Sequence, residues 1–433
     1  MQNVMVRRRD GIVVGRVSRE SFRPIRGGGE QRVRPRIDLV TSAVALFTLL
    51  LLPVLAPEGA VAQEKTAQAP PGAPKLDAGS WALVDADTGL YLAGKDPDKR
   101  VSIASTTKIM VALVALHEGA DLNEKVTVSE DAAAYAGSVY SNVGLYPYDS
   151  VSVRDLLTAA LVPSGTDAVY ALAEHLGDGS VDEFVGKMNA KARELGLENT
   201  HFENPAGIDA RGNYSSAADL TELARAAMEH PEFRDIVAQP EAIISTQDRE
   251  IAIVNTNLLV VPNSGYEYGP ATGMKTGTSL QAGDCLVASA ESGDESYIAV
   301  VLDAAGDLQR FDAATAALEY GFGEFEREAL VARGDAFADL QPPYRRDESV
   351  KLVAARDVSA LAGPGLKIER QATHEEAPPS AKTGRELGTV EVSVEDRSVG
   401  ASPLVVEKGY EAASLWQRVT YWAGGLKRWV LNR

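Results

Sequence analysis

The chain has 433 residues, of which 45% are hydrophobic and 24% charged, and its formal net charge is −18. This composition is that of an ordinary globular protein, so disorder, collagen and coiled coil are excluded as its main character, and the length predicts two or three domains. Residues 1–62 carry a net charge of +5 and the remainder −23. Because a phosphate backbone repels so acidic a chain, we expect no nucleic-acid partner.

The N-terminal segment has the order of a secretory signal peptide. Ten arginines precede an apolar run from Leu39 to Ala56, and Ala60-Val61-Ala62 follows as a small-x-small cleavage site. An uncleaved membrane anchor is the alternative, since about 18 apolar residues nearly span a bilayer. With either reading, residues 1–62 predict export to the outer face of the cytoplasmic membrane in the cell envelope. Residues 63–77 are rich in Pro and Ala and predict a linker.

Apolar segments after the linker predict a mixed α/β (α+β) fold. Two short runs within Ser80–Leu92 predict a β-hairpin around Asp87-Thr88-Gly89. Strands near both ends of the segment, with helices between, favour this arrangement over alternating βαβ units. The predicted helices are Ile109–Leu116, Val153–Leu161, Ala168–Leu176, Val181–Leu195, Ala217–His230 and Phe311–Tyr320. The predicted strands are Ile251–Val254, Asp284–Ala290 and Tyr297–Asp303, and then, in a small all-β domain that ends near Val406, Lys351–Ala354, Leu366–Glu369 and Gly388–Val394.

The chain has few residues of the types that commonly bind metals or form disulfides. Cys285 is the single cysteine, so no intrachain disulfide forms and a small buried core residue is the expected role. The five histidines include no HxxxH pair, and the chain has no G-x-S-x-G elbow. A helix-borne zinc site and a histidine-based hydrolase are therefore disfavoured, and we expect no metal and no cofactor.

Ser105-Thr106-Thr107-Lys108 is the first motif that can carry chemistry. Residues three apart share a helix face, so Lys108 can reach the Ser105 hydroxyl. The apolar residues after Lys108 would desolvate its amine and lower its pKa, which makes it a usable base. An SxxK motif arises by chance about once in a chain of this length, and a capped helix with a surface lysine is the alternative.

Two further motifs follow along the chain. Ser164-Gly165-Thr166 lies in a turn between two helical segments, and Lys275-Thr276-Gly277-Thr278 precedes an apolar strand. A cation and a hydroxyl at an edge strand can hold a carboxylate, and glycine permits close approach of an extended ligand. Taken singly, each motif is also explained as a plain turn.

The order SxxK, Ser-x-Asn-like, KTG matches the signature of penicillin-binding proteins and class A β-lactamases. Residues 78–430 closely resemble the low-molecular-mass D-alanyl-D-alanine carboxypeptidases. The segments that carry this resemblance are Ser164–Glu174, Leu195–Asp209, Asn255–Leu259, Gly273–Ala290 and Arg310–Gly321. The resemblance implies a β-lactamase/transpeptidase-like catalytic domain over residues 78–330, with an antiparallel sheet and a helical subdomain, and a β domain over residues 331–406.

The resemblance also implies a role for each matching residue. Ser105 would be the acylated nucleophile, Lys108 its general base, and Ser164 the proton relay to the leaving D-alanine. The residues implied to bind substrate are Thr166, Lys275, Thr276, Gly277, Thr278 and Arg310. Lys275, Thr276 and Arg310 would orient the substrate carboxylate, and the backbone N–H groups of Ser105 and Thr278 would form an oxyanion hole.

Thr166 departs from the family pattern, which usually has Asn at this position. Asn both donates and accepts hydrogen bonds, whereas Thr offers a shorter hydroxyl, so we interpret the change as altered substrate positioning rather than lost activity. Arg310 has a second interpretation as a helix cap or a surface ion pair.

The last segment, residues 407–433, predicts an amphipathic helix. Trp416, Val419, Trp422, Leu426 and Trp429 recur at steps of three and four residues, and basic residues accompany them. Such a helix fits a position in a membrane interface. Packing on the β domain is the alternative.

Together these features predict an exported serine-type D-Ala-D-Ala carboxypeptidase of peptidoglycan biosynthesis. Its expected partners are peptidoglycan stem peptides, β-lactam antibiotics and, through the C-terminal helix, a membrane surface. A class A-like β-lactamase and a non-catalytic peptidoglycan-binding protein are the alternatives. A class A β-lactamase normally lacks a C-terminal β domain and anchor, which this chain is predicted to have, and adds a deacylating Glu that cannot be placed here. Thr166 motivates the non-catalytic alternative.

Overall fold

The computed structural model describes residues 6–8, 11–12 and 72–431. The predicted apolar run, the cleavage site and residues 63–71 of the predicted linker lie outside these residues. The signal peptide and its cleavage therefore stay predictions.

Strands and helices before residue 326 build the part of the molecule that contains the three motifs. The strands are β1 (Val6–Arg8), β2 (Gly11–Ile12), β3 (Ala78–Asp85), β4 (Tyr91–Lys95), β5 (Lys125–Thr127), β6 (Ser150–Ser152), β7 (Glu241–Ser245), β8 (Glu250–Val254), β9 (Ala271–Ser279), β10 (Gly283–Ser292) and β11 (Glu295–Ala304). The helices are α1 (Lys108–His117), α2 (Glu130–Ala134), α3 (Val153–Leu161), α4 (Thr166–Leu176), α5 (Val181–Glu194), α6 (Ala217–Met228), α7 (Pro231–Val237) and α8 (Gln309–Glu324). Serine side chains cap α3, α5 and α6 by accepting from backbone N–H groups in the first turn.

The central sheet is antiparallel, with the strand order β4-β3-β11-β10-β9. Successive side chains of a strand point to opposite faces. Ile298, Val300 and Leu302 of β11 belong to the core shared with α1, α3, α4 and α6, whereas Tyr297 and Val301 belong to the core shared with α8. Burial on both faces explains why β11 is apolar over consecutive positions. β9 is an edge strand of this sheet, so its free edge is open to a ligand.

Residues after 325 form a second set of strands. They are β12 (Glu326–Val331), β13 (Ala336–Leu340), β14 (Val350–Ala354), β15 (Val358–Ala362), β16 (Ile368–His374), β17 (Glu386–Val394) and β18 (Arg397–Val406), and α9 (Leu415–Leu431) follows. β12 pairs with β15, and the other five strands form a sheet in the order β13-β14-β18-β17-β16. Their apolar residues share one core with α8 and the outer face of the central sheet. The proposed boundary between residues 330 and 331 falls inside β12, and the division into domains stays a prediction.

The α+β architecture predicted from sequence is observed, and the structure adds local detail. The KTG motif precedes the predicted apolar strand, which is observed as β10, and it lies within the edge strand β9, where Lys275 pairs with Val287 of β10. Lysine, glycine and threonine give no apolar alternation, so the pattern hides an edge strand whose pairing is made by the backbone. Ser105 lies in a 3-10 turn, Ala104–Thr107, directly ahead of α1, in agreement with the predicted helix that begins after it. Cys285 is buried, as expected.

Candidate active site

Ser105 lies in a turn that strand β9 approaches closely. Ala104 adopts a positive φ of 46°, and the Thr106 hydroxyl donates to the Ile103 carbonyl at 2.7 Å, which closes the turn. A Cβ added to Gly277 would lie 2.8 Å from the Ile103 oxygen and 3.0 Å from the Ser105 nitrogen. The glycine of KTG is therefore required for the contact between β9 and the Ser105 turn, and not only for approach of a ligand.

Lys108 is buried at the start of α1 and makes three polar contacts. Its Nζ donates to Ser105 Oγ at 2.7 Å, to Ser164 Oγ at 3.2 Å and to the Ala206 carbonyl at 3.3 Å. Burial lowers the pKa of Lys108 to about 7, although the nearby charge of Asp167 acts in the opposite direction. A substantial fraction of the amine is therefore neutral near neutral pH, and in that form Nζ can accept the Ser105 proton.

Ser164 and Thr166 lie where the chain passes from α3 to α4. Ser164 has a positive φ of 69°, a conformation that is unusual for a residue with a side chain. The Gly165 N–H donates to the Ala159 carbonyl and the Thr166 N–H donates to the Ser141 carbonyl, both at 2.7 Å. This turn is thus fixed on both sides of Ser164, whose hydroxyl contacts Lys108 from a part of the chain 56 residues away.

Strand β9 contains the site residues that were predicted from the KTG motif. Lys275 is fully buried, and its Nζ donates to the Thr276 carbonyl at 3.0 Å. The Thr276 hydroxyl lies 2.6 Å from the Thr256 hydroxyl, and the Thr278 hydroxyl donates to Asp284 at 2.8 Å. Burial and the charges of Lys108 and Arg310 lower the pKa of Lys275, so an anion bound beside it would stabilise its charged form.

These elements enclose one groove of about 490 Å³. Its lining combines nucleophile, relay and strand residues: Ser105, Ser164, Thr276, Gly277, Thr278 and Arg310. A polar cleft of this size beside an edge strand can admit an extended peptide terminus.

Comparisons with known proteins agree with this geometry. The profile of the family described as D-alanyl-D-alanine carboxypeptidase matches residues 63–306, which is more than half of the chain. The chain belongs to the D-alanyl-D-alanine carboxypeptidase family. It is 33% identical to the D-alanyl-D-alanine carboxypeptidase DacF of Bacillus subtilis over 78% of this chain and 87% of that protein.

Solved structures of family members are similar as well. Penicillin-binding protein 5 of Haemophilus influenzae superposes with a TM-score of 0.60 at 30% identity, covering 78% of this chain and 98% of that one. The DD-transpeptidase of Streptomyces superposes with a TM-score of 0.54 at 38% identity, covering 58% of this chain and 98% of that one. The predicted family, fold class and serine-type carboxypeptidase activity are confirmed, and they are supported over the β-lactamase and non-catalytic alternatives.

Arg310, outside the matched profile, lies in the first turn of α8 and reaches β9. Its guanidinium donates to the Thr278 hydroxyl at 2.8 Å and to the Gly277 carbonyl at 3.3 Å. It also forms an ion pair with Asp307 at 2.5 Å and lies 3.7 Å from Asp284. Arg310 is buried and lines the groove, whereas its ion-pair partner Asp307 is exposed.

Asp167 is a site residue that the motifs did not reveal. Its buried carboxylate accepts from the backbone N–H groups of Val143, Leu145 and Ala168 at 3.0–3.1 Å. Burial raises the pKa of this carboxyl, and those hydrogen bonds oppose the rise. Asp167 thus ties the segment around Val143, which lines the groove, to the turn that holds Ser164, and it places a negative charge near Lys108.

Thr256 is a second such residue. It comes from the stretch Asn255–Leu259, which supports the family resemblance, but no role follows from its spacing. Only the fold brings it beside Thr276, 20 residues later in the chain.

The described residues offer no alternative site for a metal. Across residues 72–431, no group of three or more His, Cys, Asp or Glu side chains lies close enough to hold an ion.

Proposed function

We propose that this chain removes the terminal D-alanine from peptidoglycan stem pentapeptides through an acyl-enzyme on Ser105. The observation that carries the proposal is the buried Lys108 amine, which lies 2.7 Å from the Ser105 hydroxyl and 3.2 Å from the Ser164 hydroxyl. The nucleophile and the relay hydroxyl are therefore each within hydrogen-bond reach of a base with a pKa of about 7.

Acylation begins when neutral Lys108 accepts the proton of the Ser105 hydroxyl. The Ser105 oxygen then forms a bond to the carbonyl carbon of the penultimate D-alanine, and the carbonyl oxygen becomes an oxyanion. The backbone N–H groups of Ser105 and Thr278 would stabilise that oxyanion. Gly277 helps to bring these two N–H groups together, since it lets β9 lie against the Ser105 turn.

The peptide C–N bond breaks as the tetrahedral intermediate collapses. The proton held by Lys108 passes through the Ser164 hydroxyl to the leaving amine of D-alanine. A water molecule then attacks the ester carbonyl carbon and gives a proton to Lys108. The bond between that carbon and the Ser105 oxygen breaks, and Lys108 returns the proton to Ser105 as the shortened peptide leaves. A β-lactam carbonyl would acylate Ser105 by the same first steps.

The terminal carboxylate of the substrate would bind at β9. Lys275 supplies the positive charge and Thr276 a hydroxyl donor, an arrangement in which hydrogen bonds are charge-assisted. Arg310 would act there chiefly by fixing Thr278, to which it donates at 2.8 Å. Thr166, buried at the start of α4, would contact the peptide with a shorter group than Asn and so alter its position.

Intact-mass measurement after incubation with a labelled penicillin tests the proposal. The wild-type chain is expected to gain one adduct on Ser105, and Ser105→Ala none. Chromatography of products from a D-Ala-D-Ala pentapeptide would then show release of free D-alanine. An unmodified wild-type chain would refute the acyl-enzyme, and rapid turnover of the penicillin without release of D-alanine would favour the β-lactamase alternative.

We further propose that the enzyme works in the cell envelope after export directed by residues 1–62, on the outer face of the cytoplasmic membrane. The substrate class requires access to peptidoglycan, and the order of basic, apolar and small residues supports export. The proposed division is a signal peptide (1–62), a linker (63–77), a catalytic domain (78–330), a β domain (331–406) and an anchor segment (407–433).

The helix α9 is proposed to hold the enzyme at the membrane interface. Among the described residues, no helix is both apolar enough and long enough to cross a bilayer, so the proposed attachment is by one face. Trp416 and Trp422 of α9 are 74% and 67% exposed. On the other face, the backbone of Tyr421 accepts from Arg346 at 3.0 Å and its ring packs on Tyr344.

Sedimentation with vesicles that contain anionic lipid tests this attachment. The double substitution Trp416→Ser and Trp422→Ser is expected to weaken binding by about tenfold, because it removes two large apolar groups from the interface. Ile243→Ser, at an exposed apolar position on β7, is the matched control. Equal binding by the double variant and the wild type would contradict the proposal.

A further inference from the structure

A segment rich in tyrosine flanks the groove and has no role in the mechanism above. Tyr140, Tyr146 and Tyr148 are 42%, 52% and 64% exposed, and we call these three residues the tyrosine rim. Exposed aromatic side chains that cluster in a short segment usually mark a binding surface. The ring of tyrosine gives a large apolar face, and its hydroxyl can form hydrogen bonds with polar groups.

The tyrosine rim is continuous with the groove. Ser141, Asn142 and Val143, which lie between Tyr140 and Tyr146, line the same cavity as Ser105. The Arg249 guanidinium packs 3.8 Å from the centre of the Tyr146 ring. Arg249 belongs to the β7–β8 turn, and Val254 of β8 also lines the groove. The rim therefore forms an outer extension of the peptide site.

The backbone that carries the rim is held in place by several hydrogen bonds. The Tyr146 N–H donates to Asp149 at 2.8 Å, the Tyr148 N–H to the Val128 carbonyl at 2.8 Å, and Arg249 to the Gly144 carbonyl at 2.7 Å. The Tyr148 hydroxyl donates to Glu130 at 2.5 Å. The Tyr146 and Tyr148 rings are thus held in place before a ligand arrives, which reduces the entropy lost on binding.

The lack of charged residues in this segment limits the kinds of partner that the tyrosine rim can bind. Between Asp131 and Asp149 the chain has no charged residue, although 24% of all residues are charged. Such a surface gives no attraction to an anionic lipid or a polyelectrolyte. It suits a neutral polymer that has hydroxyl and amide groups and apolar C–H faces.

The substrate itself provides a polymer of that kind. A stem peptide of five residues spans at most about 17 Å when extended, so the sugar to which it is attached must lie near the mouth of the groove when its end is at Ser105. We propose that the tyrosine rim binds the glycan strand of peptidoglycan and thereby favours polymer-attached stem peptides over free ones. This inference rests on the proposed action on stem pentapeptides.

The test compares two substrates with identical peptides. One is a free pentapeptide ending in D-Ala-D-Ala, and the other is the same pentapeptide carried on a soluble tetrasaccharide of N-acetylated peptidoglycan sugars. For the double variant Tyr140→Ala and Tyr148→Ala, we expect kcat/KM to fall about tenfold on the glycan-linked substrate and by less than twofold on the free peptide. Tyr140→Phe, which keeps the ring, is expected to retain most of the rate.

Leu280→Ala is the matched control, since Leu280 is a fully exposed apolar residue in the turn after β9. It is expected to behave as the wild type on both substrates. Peptide-free glycan chains should also inhibit hydrolysis of the glycan-linked substrate by the wild type, and less so by the double variant.

Several outcomes would overturn the inference. They are an equal effect of the double variant on both substrates, no effect on either, or a change in oligomeric state of that variant in sedimentation. A wild-type chain that releases D-alanine from neither substrate would instead refute the proposed function. Normal penicillin acylation of the double variant would show that a loss on the glycan-linked substrate is not a folding defect.

Discussion

Lys108 on α1 and Lys275 on β9 are both buried close to Ser105, yet their surroundings differ. Lys108 contacts two hydroxyls, those of Ser105 and Ser164, whereas Lys275 donates to the backbone carbonyl of Thr276. Burial lowers the pKa of both amines. The same residue type at the same depth is thus suited to two tasks, because a base must be neutral and a carboxylate ligand must be charged.

This difference separates the two walls of the groove. The wall formed by α1 and the α3–α4 turn contains groups that exchange protons. The wall formed by β9 contains groups that bind charge, and each of them is oriented by a neighbour: Thr276 by Thr256, and Thr278 by Arg310. Changes on the first wall should therefore lower kcat, and changes on the second should raise KM.

The largest expected effect comes from Lys108→Met. Removal of the base should slow penicillin acylation and D-alanine release by about a thousandfold. The midpoint temperature of thermal unfolding of this variant at neutral pH should be no lower than that of the wild type. Folding depresses the pKa of this lysine from 10.5 to about 7, so at pH 7.5 the unfolded chain holds a proton that the folded chain releases, and methionine removes this cost.

Lys191→Met is the matched control for that prediction. Lys191 is a buried lysine of α5 that forms an ion pair with Glu194 at 2.8 Å, and it is not one of the residues that line the groove. Its replacement should leave acylation unchanged. Acylation by the Lys108 variant at a rate near that of the wild type would show that another group is the base.

The second prediction concerns pH. Protonated Lys108 cannot accept the Ser105 proton, so kcat/KM should rise tenfold per pH unit up to about pH 7, and at pH 5 it should be about 1% of its plateau. Burial lowers the pKa of this amine, and the nearby Asp167 charge acts in the opposite direction. As the pH rises further, the rate should fall because Lys275 loses its proton, and burial moves this loss to a pH well below 10.5, the usual lysine pKa.

The variant Lys275→Met distinguishes the two limbs of this profile. It should abolish the alkaline limb, raise KM and keep the acid limb, because the base on the other wall is intact. A variant that instead loses the acid limb would show that the assignment of the two lysines is reversed. Rates measured with a pentapeptide between pH 5 and pH 10 provide the check.

The sequence predicted the chemistry better than the geometry that supports it. Ser105 and Lys108 could be paired because helical spacing is local, and the order of the three motifs identified the family. The sequence placed Lys275 and Thr276 at an edge strand but did not give the extent of β9, because a strand of lysine, threonine and glycine has no apolar period. The role of Gly277 was only half predicted, since its close neighbour is the Ser105 turn and not a ligand alone.

The residues that orient the motif groups could not be predicted from one sequence. Asp167 acts through backbone N–H groups of a segment more than 20 residues earlier, and Thr256 contacts a hydroxyl 20 residues later. Neither contact has a characteristic spacing. For α9, in contrast, the steps of three and four residues predicted the helix, and the structure leaves Trp416 and Trp422 of that face exposed.

The smallest predicted effect tests whether Thr256 orients the Thr276 hydroxyl on the β9 wall. The two hydroxyls lie 2.6 Å apart, so one proton lies between Thr256 and Thr276. If Thr256 donates it, the proton of Thr276 is free to point to the substrate carboxylate. Thr256→Val keeps the shape and removes the hydroxyl, so KM for the pentapeptide should rise about fivefold while kcat changes little.

Two further variants make the Thr256 prediction specific. Thr256→Ser should restore the KM, because it keeps the donor. Thr272→Val removes a similar hydroxyl pair on the same strand, with Ser289 at 2.7 Å, and should leave KM unchanged because that pair does not line the groove. A fall in kcat at constant KM for Thr256→Val, or an equal rise in KM for Thr272→Val, would place Thr256 outside carboxylate binding. The assignment of substrate binding to the β9 wall would then be wrong for this contact, because a hydrogen bond on that wall would contribute to the acylation step.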